Sequence, residues 1–179
     1  MYRPTNRSLY DIVHIGNWNG IEVKYKLCDF LHSADSDKVV VDMDLMRNFK
    51  RLAVLHREME NYILGIEGYE VRIAHCYRSM TTYHRLKKIY DERKEKGLYA
   101  SKPSKTSQHF HGEALDCHIY YQGKRIKNID ESEFIAELIN VKFADEVLQV
   151  FAYPWGVHIS METERSRAAG IKKKFGVFR

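Results

Sequence analysis

The sequence lacks any long apolar run, and none of its 179 residues falls in a stretch that approaches the roughly 20 apolar side chains needed to span a bilayer. Its opening residues, MYRPTNR, also lack the positive segment followed by an apolar one that marks a signal peptide. Cysteine is scarce, since Cys28, Cys76 and Cys117 are an odd number and include no CxxC pair. These absences argue against a disulfide framework and a thiolate zinc site. We expect a soluble chain with buried thiols and no export signal.

Glycine and proline are few, at 10 and 3 residues, whereas 44% of the residues are hydrophobic and 12% are aromatic. This apolar content excludes a disordered chain, because its burial can offset the entropy lost on folding. The length suits one domain with one sizeable core. We divide the chain into an N-terminal extension at 1–41, a domain at 42–164 and a basic tail at 165–179.

The net charge of +5 is a property of that tail. Residues 165–179 hold six of the 29 Lys and Arg residues and none of the 24 Asp and Glu residues, so the rest of the chain has 23 basic residues against 24 acidic ones. A basic tail is a weak indication of an anionic partner, and we favour a solvated tail. Nucleic-acid binding is disfavoured, because Lys172–Lys174 is one short run without the aromatic and basic alternation of single-strand binders.

The pattern of apolar residues predicts both helices and strands. A long helix begins after Asp42 or Asp44 and ends near Gly65, with apolar residues at spacings of three and four. That stripe consists of Leu45, Phe49, Leu52, His56, Met59 and Ile63. Further predicted elements are helices at 80–96 and 133–140, strands near 71–73 and at 114–121, 147–151 and 157–161, a hairpin turn at 122–124, and one or two strands within 8–32. We expect an α+β single domain with a small antiparallel sheet flanked by helices.

The residues that carry chemistry are concentrated in the segment SQHFHGEALDCH at 107–118, where three histidines and two carboxylates fall within ten residues. Zinc binds imidazole nitrogen and carboxylate oxygen, usually with three protein ligands when the site is catalytic. We select His109 and Asp116 as ligands, because Gly112 lets the backbone turn tightly between them. His158 is the best candidate for the third ligand, although a histidine in such an apolar strand is more often a hydrogen-bonded core residue. This set leaves an open position for water, whose pKa the metal lowers for amide hydrolysis.

Three segments resemble one known family. SQHFHGEALD at 107–116 resembles the SxHxxGxAxD signature of the M15 zinc peptidases, the family of D-Ala-D-Ala carboxypeptidases and phage endolysins. CYRS at 76–79 resembles the GYRS element before that signature, and WGVHIS at 155–160 resembles the closing W-V-H-x-S strand. The resemblance spans about residues 69–161 and implies an M15 peptidase-like fold, which is also similar to that of the hedgehog signalling domain.

The resemblance implies roles for the matching residues. His109, Asp116 and His158 would be ligands of Zn²⁺. Arg78 would stabilise an oxyanion or hold a substrate carboxylate, which suits a planar guanidinium. Ser107 would orient the site, and we count it with Arg78 among the candidate substrate-binding residues.

The general base that this family places a few residues before the last histidine is missing. The segment VLQVFAYPWGV, which precedes His158, contains no Asp, Glu or His. Tyr153 in that segment cannot accept a proton near neutral pH, and we keep it as a candidate substrate-binding residue. Glu162, four residues past His158, is far from it unless the strand bends, so two nearer substitutes for the base remain open. His118 shares a strand face with Asp116, and Glu113 lies between two ligands in the sequence.

Two functions follow. The first is a zinc-dependent peptidase that hydrolyses peptide bonds of bacterial peptidoglycan, as an endolysin or a D,D- or L,D-peptidase does, with the stem peptide as its partner. Without an export signal, such an enzyme fits a phage lysis enzyme in the host cytoplasm before lysis, or a peptidase carried on a virion. The second is a catalytically silent M15-like zinc protein that serves as a structural or binding component beside other virion proteins. The missing base favours the second, the family resemblance favours the first, and we prefer the peptidase.

Overall fold

The computed structural model describes residues 5–6, 10–18, 21–31, 40–66, 68–98, 100 and 102–179. Within these residues the helices are α1 (Leu27–Phe30), α2 (Met43–Leu64), α3 (Met80–Glu95), α4 (Ile129–Lys142), α5 (Glu164–Ala168) and a 3-10 helix (Gln108–His111). The strands are β1 (Thr5–Asn6), β2 (Ile12–Trp18), β3 (Ile21–Lys26), β4 (Val40–Val41), β5 (Tyr69–His75), β6 (Ala114–Tyr121), β7 (Lys124–Arg125), β8 (Val147–Tyr153), β9 (Gly156–Met161) and β10 (Lys174–Val177). The predicted α+β class is confirmed.

Six strands form one sheet in the order β10-β8-β9-β6-β5, with β7 paired to the end of β6. The β6–β7 connection is the predicted hairpin turn, and it has positive φ at both Gln122 and Gly123. Every pairing in the sheet is antiparallel except that of β10 with β8. The sheet is therefore mixed rather than antiparallel throughout. The chain runs along β8, returns along β9 and reverses again through α5, so β10 lies parallel to β8.

Helix α2 follows the predicted apolar stripe. The Asp42 carboxylate accepts a hydrogen bond from the Leu45 N–H at 2.8 Å, which makes Asp42 rather than Asp44 the N-cap. The helix ends at Leu64 and is capped by Gly65. All six residues of the predicted stripe are buried. Since α2 packs against β2 and β5, this stripe joins the hairpin of β2 and β3 to the main sheet.

The two faces of the main sheet differ in chemistry, as the alternation of side chains along a strand requires. One face packs against α2 and α4 and forms a single core with them. Its residues include Val71, Cys117, Ile119, Val150, Ala152, Val157 and Ile159. Strand register places Arg72, Asp116, His118, Phe151 and His158 together on the other face, which we call the site face.

Residues 165–179, which the sequence analysis sets apart as a basic tail, contribute to the main sheet through β10. The Phe178 N–H donates to the Ala152 carbonyl oxygen at 2.9 Å. The Phe178 ring stacks on Tyr153 with 4.9 Å between ring centroids and 8° between planes. The segment therefore pairs with the sheet through its backbone, while most of its side chains, including those of Lys172–Lys174, are exposed. None of the helices in the described part of the chain has the length and apolarity needed to cross a bilayer.

Candidate metal centre

Two strands and a turn bring His109, Asp116 and His158 together. In the antiparallel pair of β6 and β9, Asp116 lies directly opposite His158, so the two side chains share the site face. His109 belongs to the 3-10 helix just before β6. The Ser107 hydroxyl caps this helix by accepting a hydrogen bond from the His109 N–H at 3.4 Å. Ser107 therefore orients the loop that carries a candidate ligand through the backbone of that loop.

Gly112 permits the turn from the 3-10 helix into β6. Its φ is 59°, in the left-handed region that side chains other than glycine rarely adopt. A Cβ at this position would lie 2.6 Å from Cδ1 of Leu45 and 2.8 Å from Cε1 of Phe49. Both conformation and space thus require glycine, and the close approach to α2 fixes the loop that carries His109.

The donor atoms of the three side chains face one another. His109 Nε2 lies 3.3 Å from Asp116 Oδ1 and 3.2 Å from His158 Nδ1, and His158 Nδ1 lies 2.8 Å from Asp116 Oδ1. Two ligands bound at about 2.0 Å to a tetrahedral ion are roughly 3.3 Å apart. The three separations are equal to or somewhat below that value. The side chains of His109, Asp116 and His158 are only 5%, 12% and 14% exposed.

The hydrogen bonds of the cluster leave lone pairs directed into it. His109 Nδ1 lies 2.5 Å from the Cys76 carbonyl oxygen, which can only accept, so Nδ1 carries the proton. A neutral His109 then presents an unprotonated Nε2 to Asp116 and His158. Several acceptors at such short range repel one another unless a proton or a cation lies between them. Among the described residues, these three form the cluster of His, Cys, Asp and Glu side chains that could hold a metal ion.

The ionisation states in the cluster also suit a cation. Burial would raise the pKa of the Asp116 carboxyl, but protons on the imidazoles of His109 and His158, where no metal takes their place, outweigh burial and hold that pKa well below its ordinary value. Burial lowers the pKa of His158, and Asp116 offsets only part of this effect. A carboxylate and a neutral imidazole are the forms that bind metals.

Arg78 lies beside the cluster. Its backbone N–H donates to the His109 carbonyl oxygen at 3.0 Å, which ties the CYRS segment to the 3-10 helix. Burial lowers the pKa of Arg78, while the negative charge of Asp116 acts in the opposite direction. The positive charge of Arg78 in turn contributes to the lowered pKa of His158, after burial. Since arginine stays protonated in proteins, the cluster has a fixed cation within electrostatic range.

Two further histidines occupy the site face. His118 is two residues beyond Asp116 on β6, and its ring centroid lies 6.4 Å from that of Trp155. Burial lowers the pKa of His118, followed by the positive charges of Arg125 and His75. His75 stands opposite Asp116 in the pairing of β5 and β6, after a β-bulge. His75 was not among the predicted site residues, although its place immediately before the CYRS segment was a signal.

A group of aromatic rings borders the cluster. Phe151 stacks on His158 with 5.6 Å between ring centroids and 17° between planes. Tyr153 stacks between Trp155 and Phe178, with centroids 4.9 Å away on each side. The ring of Tyr153, a predicted substrate-binding residue, is thus covered by neighbours on both faces.

The side chain of Glu113, which we predicted as a candidate for proton transfer, is engaged in other contacts. Its side chain is 1% exposed and forms an ion pair with Arg165. The carboxylate also accepts a hydrogen bond from the Thr163 hydroxyl at 2.6 Å. Because both carboxylate oxygens are engaged, the arrangement favours a structural role for Glu113. Of the two substitutes for the missing base, His118 is the one that shares the site face with the cluster.

No protein-family model, curated protein or solved structure matches this chain. A cavity of about 490 Å³ is lined by Phe110 and His111 but by none of the three cluster residues. Any functional assignment therefore rests on the donor geometry and on the motif resemblance.

Proposed function

We propose that this protein is a zinc-dependent peptidase of the M15 type that hydrolyses peptide bonds in bacterial peptidoglycan. The observation that carries the proposal is the convergence of His109, Asp116 and His158, with donor atoms 2.8–3.3 Å apart. These are the residues that the M15-like motifs select as zinc ligands. The setting that we propose is a phage lysis enzyme or a virion-borne peptidase.

Zinc is the metal that the donor set favours. Two imidazole nitrogens and one carboxylate oxygen are typical zinc ligands, whereas calcium and magnesium prefer sites made of oxygen alone. Three protein ligands are the usual number for a catalytic zinc site, because a fourth position stays open. When bound, zinc acts as a Lewis acid and lowers the pKa of water.

The chain supplies the remaining groups from its own side chains. The Arg78 guanidinium would hold negative charge that develops on the carbonyl oxygen of the substrate, a role to which its planar donors are suited. His118 would accept a proton from the attacking water and donate it to the leaving amine, since it shares the site face and its lowered pKa keeps the imidazole neutral at pH 7. The aromatic group at Tyr153 and Trp155 would contact the substrate chain beside the scissile bond.

Release of soluble peptides from purified peptidoglycan by the zinc-loaded protein tests this proposal. The wild type is compared with His109→Ala and with a matched control, His84→Ala, which alters an exposed histidine of α3. We expect release by the wild type and the control, and none by His109→Ala. Absence of release from every wall type, with zinc bound, would reject the peptidase.

A second candidate function is a zinc protein without catalysis that serves as a virion component. One observation favours it. Strand β8 (Val147–Tyr153), which pairs with the strand of His158, contains no Asp, Glu or His that could act as a base. Bound zinc together with intact peptidoglycan in the assay above is the result that this candidate predicts.

A further inference from the structure

A buried ion pair links α5 to the segment between two candidate ligands. The Glu113 carboxylate accepts hydrogen bonds from Arg165 Nε at 2.9 Å and from Arg165 Nη2. It also accepts one from the Thr163 hydroxyl at 2.6 Å. The Glu113 side chain is 1% exposed and that of Arg165 is 34% exposed, so Arg165 separates the Glu113 carboxylate from solvent.

The backbone of Glu113 contacts the elements that carry the ligands. Its N–H donates to the Gln108 carbonyl oxygen at 3.1 Å, next to His109. Its carbonyl oxygen accepts from the Met161 N–H at 2.9 Å, on the strand that carries His158. Asp116 follows three residues later on β6. One residue thus bridges the 3-10 helix, β6 and β9, from which the three ligands come.

Helix α5 holds the guanidinium in place. Thr163 caps α5 by accepting from the Ser166 N–H at 3.0 Å, and the Thr163 N–H donates to the Ser166 hydroxyl at 2.9 Å. Arg165 is the second residue of this capped helix, so its backbone has little freedom. Without the guanidinium, the Glu113 carboxylate would be buried with a single hydroxyl partner. A buried charge that loses its partner is strongly unfavourable, and the chain relieves it by moving the charge toward water.

We propose that Glu113 and Arg165 are positioning residues that set the metal affinity of the His109, Asp116 and His158 cluster. Displacement of Glu113 would shift the 3-10 helix relative to β9 and separate the donor atoms. This inference rests on metal binding by the cluster, as the proposed function does, but it does not require hydrolysis. By thermodynamic reciprocity, bound metal would also hold α5 against the domain.

The test measures zinc affinity by competition with a chromogenic chelator, together with the visible absorption spectrum of the Co²⁺-substituted protein. We expect Arg165→Met to weaken zinc binding by about 10-fold or more and to change the Co²⁺ spectrum. Arg165→Lys keeps the charge and should recover most of the affinity. The matched control is Arg167→Met, which removes an exposed ion pair with Glu162 and should change zinc affinity by less than about twofold.

A second variant keeps the test decisive if Arg165→Met fails to fold. The double substitution Glu113→Gln with Arg165→Met removes both charges, so the buried group no longer needs a counter-ion. We expect it to fold and to bind zinc more tightly than the single variant where both can be measured, but more weakly than the wild type, because the ion pair that positions Glu113 is lost. Wild-type zinc affinity and an unchanged Co²⁺ spectrum in folded Arg165→Met, or in the double variant when the single one does not fold, would overturn the proposal. Zinc binding that depends on Arg165 without any peptidoglycan hydrolysis would support this inference and reject the peptidase.

Discussion

His56 lies in the middle of α2 with 4% of its surface exposed, and both of its ring nitrogens are hydrogen bonded. Nε2 lies 2.7 Å from the Val71 carbonyl oxygen, which can only accept, so Nε2 carries the proton. Nδ1, 2.9 Å from the Tyr25 oxygen, then accepts the tyrosine proton. The native structure therefore stabilises the neutral imidazole, because a second ring proton on Nδ1 would displace the hydrogen bond from Tyr25.

Acid should destabilise the protein through this residue. Burial lowers the pKa of His56 from 6.5 to about 4. Between these two values the unfolded chain binds a proton that the native state does not, so the free energy of unfolding decreases as the pH is lowered. The effect is absent above about pH 7 and complete below about pH 4. Its full size is roughly 3 kcal/mol, because each tenfold difference in proton affinity between the two states corresponds to about 1.4 kcal/mol.

The assay is urea unfolding followed by circular dichroism from about pH 4 to 7.5, with a chelator present so that metal binding does not contribute. His56→Gln replaces the imidazole with a group that can donate and accept but does not titrate. As the pH is lowered from neutral to about 4, the free energy of unfolding of the wild type should decrease by roughly 3 kcal/mol more than that of His56→Gln. The control His84→Gln should follow the wild type. A wild-type to His56→Gln difference that is constant across this range would refute the reasoning.

Three other predictions concern single positions. Gly156→Ala places a Cβ 2.1 Å from a backbone oxygen at φ 145°, and it should lower the free energy of unfolding by about 3 kcal/mol in urea titrations. Phe178→Ala removes the ring stacked on Tyr153, and it should cost about 1 kcal/mol, seen as a thermal midpoint lower by about 2–4 °C. Arg78→Lys should leave zinc content unchanged and slow peptide release by about 100-fold, because lysine lacks the planar pair of donors. A midpoint unchanged in Phe178→Ala, a stable Gly156→Ala or full activity in Arg78→Lys would contradict the respective argument.

The elements that the sequence predicts well are those with local causes. Helix α2 carries its own apolar stripe and its own cap at Asp42, so its bounds follow from neighbouring residues. Strands β6 and β9 are likewise recognisable from short apolar runs. The convergence of His109, Asp116 and His158 has no such local signal. These residues were predicted from the histidine-rich segment at 107–118 and from the resemblance to a family pattern, and the structure brings the three donor atoms together.

The features that the sequence did not predict depend on distant partners. Strand β10 is four residues long and owes its existence to pairing with β8. The contact of Glu113 with Arg165 joins residues 52 positions apart, and no local sequence pattern at either residue indicates it. His75 was not predicted as a site residue for a different reason. Strict alternation after Ile73 would send its side chain into the core, but the β-bulge between these two residues turns it to the site face.

The measurement that tests the central claim most directly is the zinc content of the purified protein after dialysis, determined by atomic emission for the wild type, His109→Ala and His84→Ala. The account predicts about one zinc ion per chain in the wild type and in His84→Ala, and almost none in His109→Ala. A wild type without zinc even after incubation with the metal, or equal zinc in wild type and His109→Ala, would contradict it.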